Sequence, residues 1–357
     1  MKRILFVAQH RPNRNPSQRY RFEQYLDFLE ARGYAYDFSF LLNEKDDAAF
    51  YQSGNYFRKL IILLKSILRR WRDVRRARSY DVIFVQREAV MLGSSFFERQ
   101  FSKRSKLIYD FDDAIWLPNV SEGNRPLSWL KRPEKTQKII QLADTVLAGN
   151  AYLASYARQF NEQVHIFPTT IDLDMYRSQV YPEKDPDKVC IGWTGSSTTL
   201  FEFIAFEKVL KQLVDKYQDK IYIKVIGQAA YKSDLIKVKS VAWSSETEVL
   251  ELCELDIGIM PLHNSDWSRG KCACKGLQYM ALGIPAVMSA IGVNQKIINS
   301  GENGFLCETE EEWVEALSAL IESAELRRKL GGNGQETVQK EYAREVWQER
   351  FLALLGE

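Results

Sequence analysis

LDIGIMPLHNSDWSRGKCACKGLQYMALGIPAVMSAIGVNQKII, residues Leu255 to Ile298, reads as one strand-helix-strand unit. Leu255 to Met260 is a short apolar run ended by Pro261, and Ile284 to Met288 is a second, the pattern of strands buried on both faces of a parallel sheet. Between them the spacing predicts a helix with Ser268 as N-cap and Gly283 in the left-handed C-terminal position, where Pro285 stops it. On such a helix Lys271, Lys275 and Gln278 stand at i, i+4 and i+7 and share one face. Two cations and an amide near a helix N-terminus, at the carboxyl end of a strand, form a cradle for phosphates and a sugar.

Outward from this unit the same alternation recurs. Val189 to Trp193 and Ile221 to Ile226 read as strands, Leu200 to Tyr217 as a helix, and Val241 to Trp243 as a further short strand. Gly195, Ser196 and Ser197 lie in a hydroxyl-rich turn between strand and helix, a layout in which backbone N–H groups and hydroxyls meet an anion. The tail from Glu310 is helical, with Gly331-Gly332 expected as a break. Upstream, Ile4 to Ala8, Asp81 to Gln86, Lys106 to Phe111 and Val164 to Phe167 read as strands, and one helix is expected from Ser17 to Gly33. The polar, proline-interrupted stretch Tyr181 to Lys188 is the best linker. Two alternating halves predict an α/β protein of two doubly wound parallel-sheet domains, 1–180 and 181–342, facing across a shared cleft.

Three features of the first half bear chemistry. Arg11, Arg14, Arg19 and Arg21 crowd the loop after the first strand, suited either to an anionic substrate or to a solvated basic surface. Asp110, Asp112 and Asp113 repel one another at a strand end, a placement that fits hard-cation binding by Asp110 and Asp112, a general base, an acceptor for sugar hydroxyls, or a helix cap. The stretch Asn55 to Tyr80 places Phe57, Leu60, Ile61, Leu64, Ile67, Leu68, Trp71 and Val74 at three- and four-residue steps in an apolar stripe that Ile62 and Leu63 broaden, opposite many Arg and Lys residues. Such a helix, about 55–78, fits either an anionic membrane surface or the outside of a core.

Composition narrows the class. The 357 residues carry a formal net charge of +2 and 45% hydrophobic residues, enough for two ordinary cores. No apolar run is long enough to cross a bilayer, and Met1-Lys2-Arg3 leads straight into a strand, so a cytoplasmic protein, peripheral on the inner face of the plasma membrane at most, is expected. The five cysteines lack paired metal-ligand spacing and read as reduced thiols. No aromatic platform accompanies the basic run, which argues against nucleic acid.

Asp256 to Leu262, Gln278 to Val287, Gly292 to Asn294 and Gly301 to Leu306 together resemble the C-terminal domain of family 4 glycosyltransferases of the GT-B fold, and Pro168 to Asp172 resembles their exit from the N-terminal domain. The resemblance implies a retaining transferase that takes a nucleotide-diphosphate sugar as co-substrate, with no further cofactor, and a final helix, about 343–357, packing back on the first domain. With these readings the donor is expected on Gly195, Ser196, Ser197, Trp243, Lys271, Lys275 and Gln278, and the acceptor, a glycan or lipid-linked precursor, near Arg11, Arg19, Arg21 and Asp110. The family's two glutamates fall on Gly270 and Gln278 here, and its basic residue after the first strand of the second domain is missing, which shifts weight to Lys271 and Lys275. Lys271 is then expected to stabilise the departing diphosphate without a metal, with Asp112 or Asp113 orienting or deprotonating the acceptor. The alternatives are a nucleotide-sugar-binding or scaffold subunit without catalysis, and a metal-dependent transferase using Asp110 and Asp112.

Overall fold

Twelve strands of three to eight residues form two sheets in the computed structural model, which describes residues 2–51, 54–117, 132, 134–177 and 183–356. In the first sheet these are β1 (Arg3–His10), β2 (Ala35–Leu42), β3 (Val82–Gln86), β4 (Lys106–Phe111), β5 (Thr145–Ala148) and β6 (Val164–Ile166), in the order β2-β1-β3-β4-β5-β6. The second sheet holds β7 (Val189–Thr194), β8 (Ile221–Ile226), β9 (Val238–Val241), β10 (Ile257–Met260), β11 (Ala286–Ser289) and β12 (Phe305–Cys307), in the order β12-β11-β10-β7-β8-β9. All pairings are parallel. The order reverses between β1 and β3 in one sheet and between β7 and β10 in the other, and the loops at these points are where such sheets bind ligands.

The chain divides into a unit of Met1–Thr169, Gly270–Cys272 and Trp347–Glu357 and a unit of Thr170–Arg269 and Ala273–Val346. The division after Thr169 precedes the expected 180/181 boundary, and residues 178–182, with Tyr181 and Pro182 of the expected linker, lie outside the described residues. In the first unit Phe6, Phe22 and Phe84 pack with Phe351 and Leu355 of the last helix, Arg344–Gly356. In the second, Trp193, Phe203, Phe206 and Trp313 anchor the core.

Several helices depart from the sequence expectation for tertiary reasons. The helix expected from Ser17 to Gly33 is Pro16–Arg21 and Leu26–Ala31, with a 3-10 turn at Glu23–Tyr25 between them. Phe22 breaks it, turning inward to stack on Phe6 with ring centroids 4.9 Å apart. Gly331-Gly332 does not break the tail, because the helix Ala324–Thr337 runs through both. Gly331 is there for clearance: a Cβ on it would strike the Gly283 carbonyl. The helix expected to carry Lys271, Lys275 and Gln278 is interrupted too. Asp266–Arg269 and Cys274–Ala281 are separate, Ala273 takes a left-handed φ of 55°, and Ser268 lies inside the first piece instead of capping the whole. Lys271 therefore does not share a helix face with Lys275 and Gln278.

The long helix Tyr56–Arg76 turns the opposite way to a core-covering helix. Ile62, Ser66, Arg70, Asp73 and Val74 face inward, with Lys59, while Phe57, Leu60, Ile61, Leu64, Leu68 and Trp71 are exposed. Arg70 explains the choice. Its guanidinium is fully buried and donates to the carbonyls of Ala8 (2.8 Å), Ala89 (2.6 Å) and Ser39 (3.2 Å) and to Asp73 (3.0 Å). These bonds fix the helix by its mixed face, although burial pulls the Arg70 pKa down to about 10.

Candidate functional site

In the first unit the acidic strand end is built as three ion-paired carboxylates. β4 delivers Asp110 fully buried, and Arg21, also fully buried, reaches both its oxygens while donating to the Phe167 carbonyl. The two side chains pair with each other, which makes Arg21 and Asp110 an internal tie from the first helical segment to β4. Burial pushes Asp110 up, and Arg21 only partly pulls it back. Arg11 is engaged as well, pairing with Asp47 at 3.3 Å, and Arg19 is buried with its guanidinium over the Tyr20 ring. Asp47, opposed by burial but bonded by His10 and Arg14, sits at about 2.

Asp112 and Asp113 share Arg87, the residue directly after β3. Arg87 adopts a left-handed φ of 63° and places Nε 3.0 Å from Asp112 while also bonding Asp113. Lys271 Nζ lies 2.9 Å from the other Asp113 oxygen. Three carboxylates thus face three cations, Arg21, Arg87 and Lys271, and the repulsion expected of the acidic cluster is cancelled. Burial works against the Asp112 charge, but Arg87 and Arg21 outweigh it and hold this carboxyl below its ordinary range. An acid so held accepts hydrogen bonds well and protons poorly. The same arrangement engages both Asp110 oxygens with Arg21.

Lys271 reaches this cluster because its backbone is pinned. Asn150, which caps the helix Ala151–Ala157, donates to the Lys271 carbonyl at 2.9 Å, and the Cys272 thiol donates to the Asp112 carbonyl at 3.2 Å. Gly149 beside them has no room for a Cβ, which would meet the Cys272 sulfur. Arg87, Asn150 and Gly149 were not among the residues expected from sequence. A charged residue one place past a buried strand is the available signal for Arg87, and Gly149-Asn150 carried a turn signal only.

In the second unit the turn after β7 holds Gly195 half-buried and Ser196 and Ser197 exposed. Gly227, after β8 and at φ 109°, lies so close to the Gly195 carbonyl that a Cβ there would overlap it. Two backbones thereby meet beside the β7/β10 reversal. Lys275 puts its ammonium 4.6 Å from the centre of the Trp193 ring, at the carboxyl end of β7. Gln278 is buried and donates to the Tyr176 hydroxyl at 3.1 Å. Trp243 follows β9 and donates its indole N–H to Glu248 at 2.8 Å. The structure therefore groups Asp112, Asp113 and Lys271 in one unit, and Gly195, Ser196, Lys275 and Gln278 in the other.

Residues 205–337 match the family model described as "Glycosyl transferases group 1". The match falls almost wholly in the second unit, and the chain as a whole has the GT-B fold. It is similar to TuaH of Bacillus subtilis (strain 168), named as a teichuronic acid biosynthesis glycosyltransferase, with 23% identity over 68% of this chain and 62% of that one, so the match spans under two thirds of that relative's length. Among solved structures, sucrose-phosphate synthase from Thermosynechococcus elongatus aligns at a TM-score of 0.71 and 15% identity, covering 99% of this chain and 98% of that one. HepE from Anabaena, solved with UDP and glucose, aligns at 0.63 and 13% identity, covering 99% of each. No helix among the described residues is long and apolar enough to cross a membrane.

Proposed function

We propose that the chain is a glycosyltransferase that moves a sugar from a nucleotide-diphosphate donor to a glycan or lipid-linked acceptor in cell-surface polysaccharide synthesis. The observation that carries this reading is that the group 1 match takes in β10, Gly227 and Lys275, which stand beside the β7/β10 reversal with Gly227 closely packed on Gly195. That layout offers backbone N–H groups and one cation to a diphosphate. TuaH's naming for teichuronic acid synthesis supports the cell-surface assignment.

In this reading the enzyme belongs to family 4, retains anomeric configuration and works without a metal. Lys271 and Lys275 meet the charge that builds on the leaving diphosphate, a gain larger in the transition state than in the ground state. Asp112, kept ionised by Arg87, orients the acceptor hydroxyl by accepting its hydrogen bond. Engagement of Asp110 by Arg21 supports metal independence, since the pair expected to hold a cation has one member already paired. The protein works in the cytoplasm, peripheral to the membrane that carries its acceptor.

A thermal-shift screen with UDP, GDP, ADP and their sugars tests the donor assignment, because a ligand at a hundred times its Kd adds about 2.7 kcal/mol to the native state. One nucleotide and its sugars raising the unfolding temperature, with transfer to a glycan acceptor, is the expected result. No shift with any of them overturns the reading, and a shift without turnover across a panel of acceptors favours a binding subunit instead.

A further inference from the structure

The apolar row of the helix Tyr56–Arg76 is the largest feature the donor and acceptor chemistry leaves unused. Half of the large apolar side chains exposed among the described residues lie on this one helix, with Phe57 at 78%, Leu68 at 62% and Leu64 at 53%. Trp71 extends the row to Phe96, with ring centroids 5.3 Å apart. Arg58, Lys65, Arg72, Arg75 and Arg76 flank it and are exposed, while Asp73, the helix's acid, is turned inward onto Arg70 and Ser39. At the N-terminal end of the row a groove of about 480 Å³ is lined by Lys45, Asp46, Phe57, Arg58, Ile61 and Lys65. Lys65 keeps only a loose pairing with Asp46 at 3.4 Å, and Arg58 donates to the Lys45 carbonyl.

We infer that this helix lies in the plane of an anionic bilayer, its apolar row inserted among the acyl chains, and that the groove seats the phosphate headgroup of one anionic lipid between Arg58, Lys65 and Lys45. The inference deepens the peripheral-membrane part of the reading above and does not depend on which sugar is transferred. Charge complementarity selects the occupant. A second copy docked through the same face would set arginines against arginines across a two-fold axis. A neutral apolar surface would leave the flanking cations unmatched, whereas an anionic bilayer takes up the row and the charges together. The groove adds position to that attraction, since phosphate accepts from a guanidinium and an ammonium at once.

Flotation of the full chain with vesicles of phosphatidylcholine alone, and of phosphatidylcholine containing phosphatidylglycerol, tests it. The wild type is expected to float with the anionic vesicles, to stay behind with the neutral ones, and to bind less as salt rises. Leu64→Ser with Leu68→Ser should weaken partition at least about tenfold, and Arg58→Gln with Lys65→Gln about thirtyfold, from about fivefold per cation near lipid. All substituted sites are on the surface, and unchanged melting temperature and nucleotide-induced shift in both variants confirm that they fold. A wild type that floats with neither vesicle overturns both the inference and the membrane part of the reading. Flotation that both variants retain overturns the inference alone, leaving membrane association to another surface. Loss of flotation in the apolar-row variant but not in the groove variant overturns the headgroup seat. A dimer that the apolar-row variant abolishes, without lipid binding by the wild type, assigns the face to a second copy and overturns it as well.

Discussion

Replacing Arg21 by Met removes the cation from a carboxylate that has no access to water. Asp110 is fully buried, and in the native chain Arg21 meets both of its oxygens. Breaking a buried pair by deleting one partner typically costs about 3–5 kcal/mol, because the remaining charge loses compensation but not its desolvation. For a unit of this size each kcal/mol moves the transition by roughly 2–4 °C, so the first unit should melt on the order of 10 °C earlier. Replacing both partners, Arg21→Met with Asp110→Leu, removes the charge as well as its compensation. Such exchanges are commonly neutral or stabilising, so the double variant should recover most of the loss.

The pH dependence gives a second, independent reading of the same substitution. Without Arg21 the Asp110 carboxyl rises further above its unfolded value of about 3.9. The unfolded chain then releases its proton first as pH increases, so the penalty is absent below about pH 4 and accumulates from there up to the raised folded pKa. Calorimetry or fluorescence melts at pH 5 and pH 8 should therefore show a smaller loss for Arg21→Met at pH 5. A single variant that melts like the wild type, or a double variant no better than the single, refutes the internal-tie assignment. Loss of transfer in a double variant of native stability restores Arg21 to substrate binding.

Three further outcomes are expected. Lys271→Ala should lower transfer about a hundredfold through kcat, the scale of one lost oxyanion-type donor, as read in initial-rate assays; an unchanged rate refutes its role at the diphosphate. Gly227→Ala should cost about 1–3 kcal/mol from its left-handed φ of 109°, with further loss from overlap at the Gly195 carbonyl, and should abolish the nucleotide-induced thermal shift; retention of both stability and shift refutes the close approach. Asp47→Asn should remove the part of acid sensitivity that arises as this carboxylate, held at about 2, takes up protons between pH 4 and pH 2; titrations of wild type and variant that coincide over that window refute it.

What the sequence reveals of this molecule follows the range of the interaction involved. Strands buried on both faces write themselves as continuous apolar runs, so β1, β4, β7 and β10 are legible directly, and their parallel pairing follows from the helices between them. The interruption at Gly270–Ala273 is not legible, because bonds from Asn150 and to Asp112 draw the segment out of helical register from more than a hundred residues away. Arg87 escapes for the same reason: local spacing shows three carboxylates without their counter-charges, and so overstates how reactive they are. The helix Tyr56–Arg76 is the sharpest case, since periodicity locates an apolar row but carries no sign for which side meets the core. Arg70 marks the inner side, because its buried guanidinium finds carbonyl and carboxylate acceptors there, which satisfy donors that burial has taken out of water. A buried cation can therefore take the inner side against hydrophobic periodicity, and where it does, the apolar face it displaces is left to bind something else.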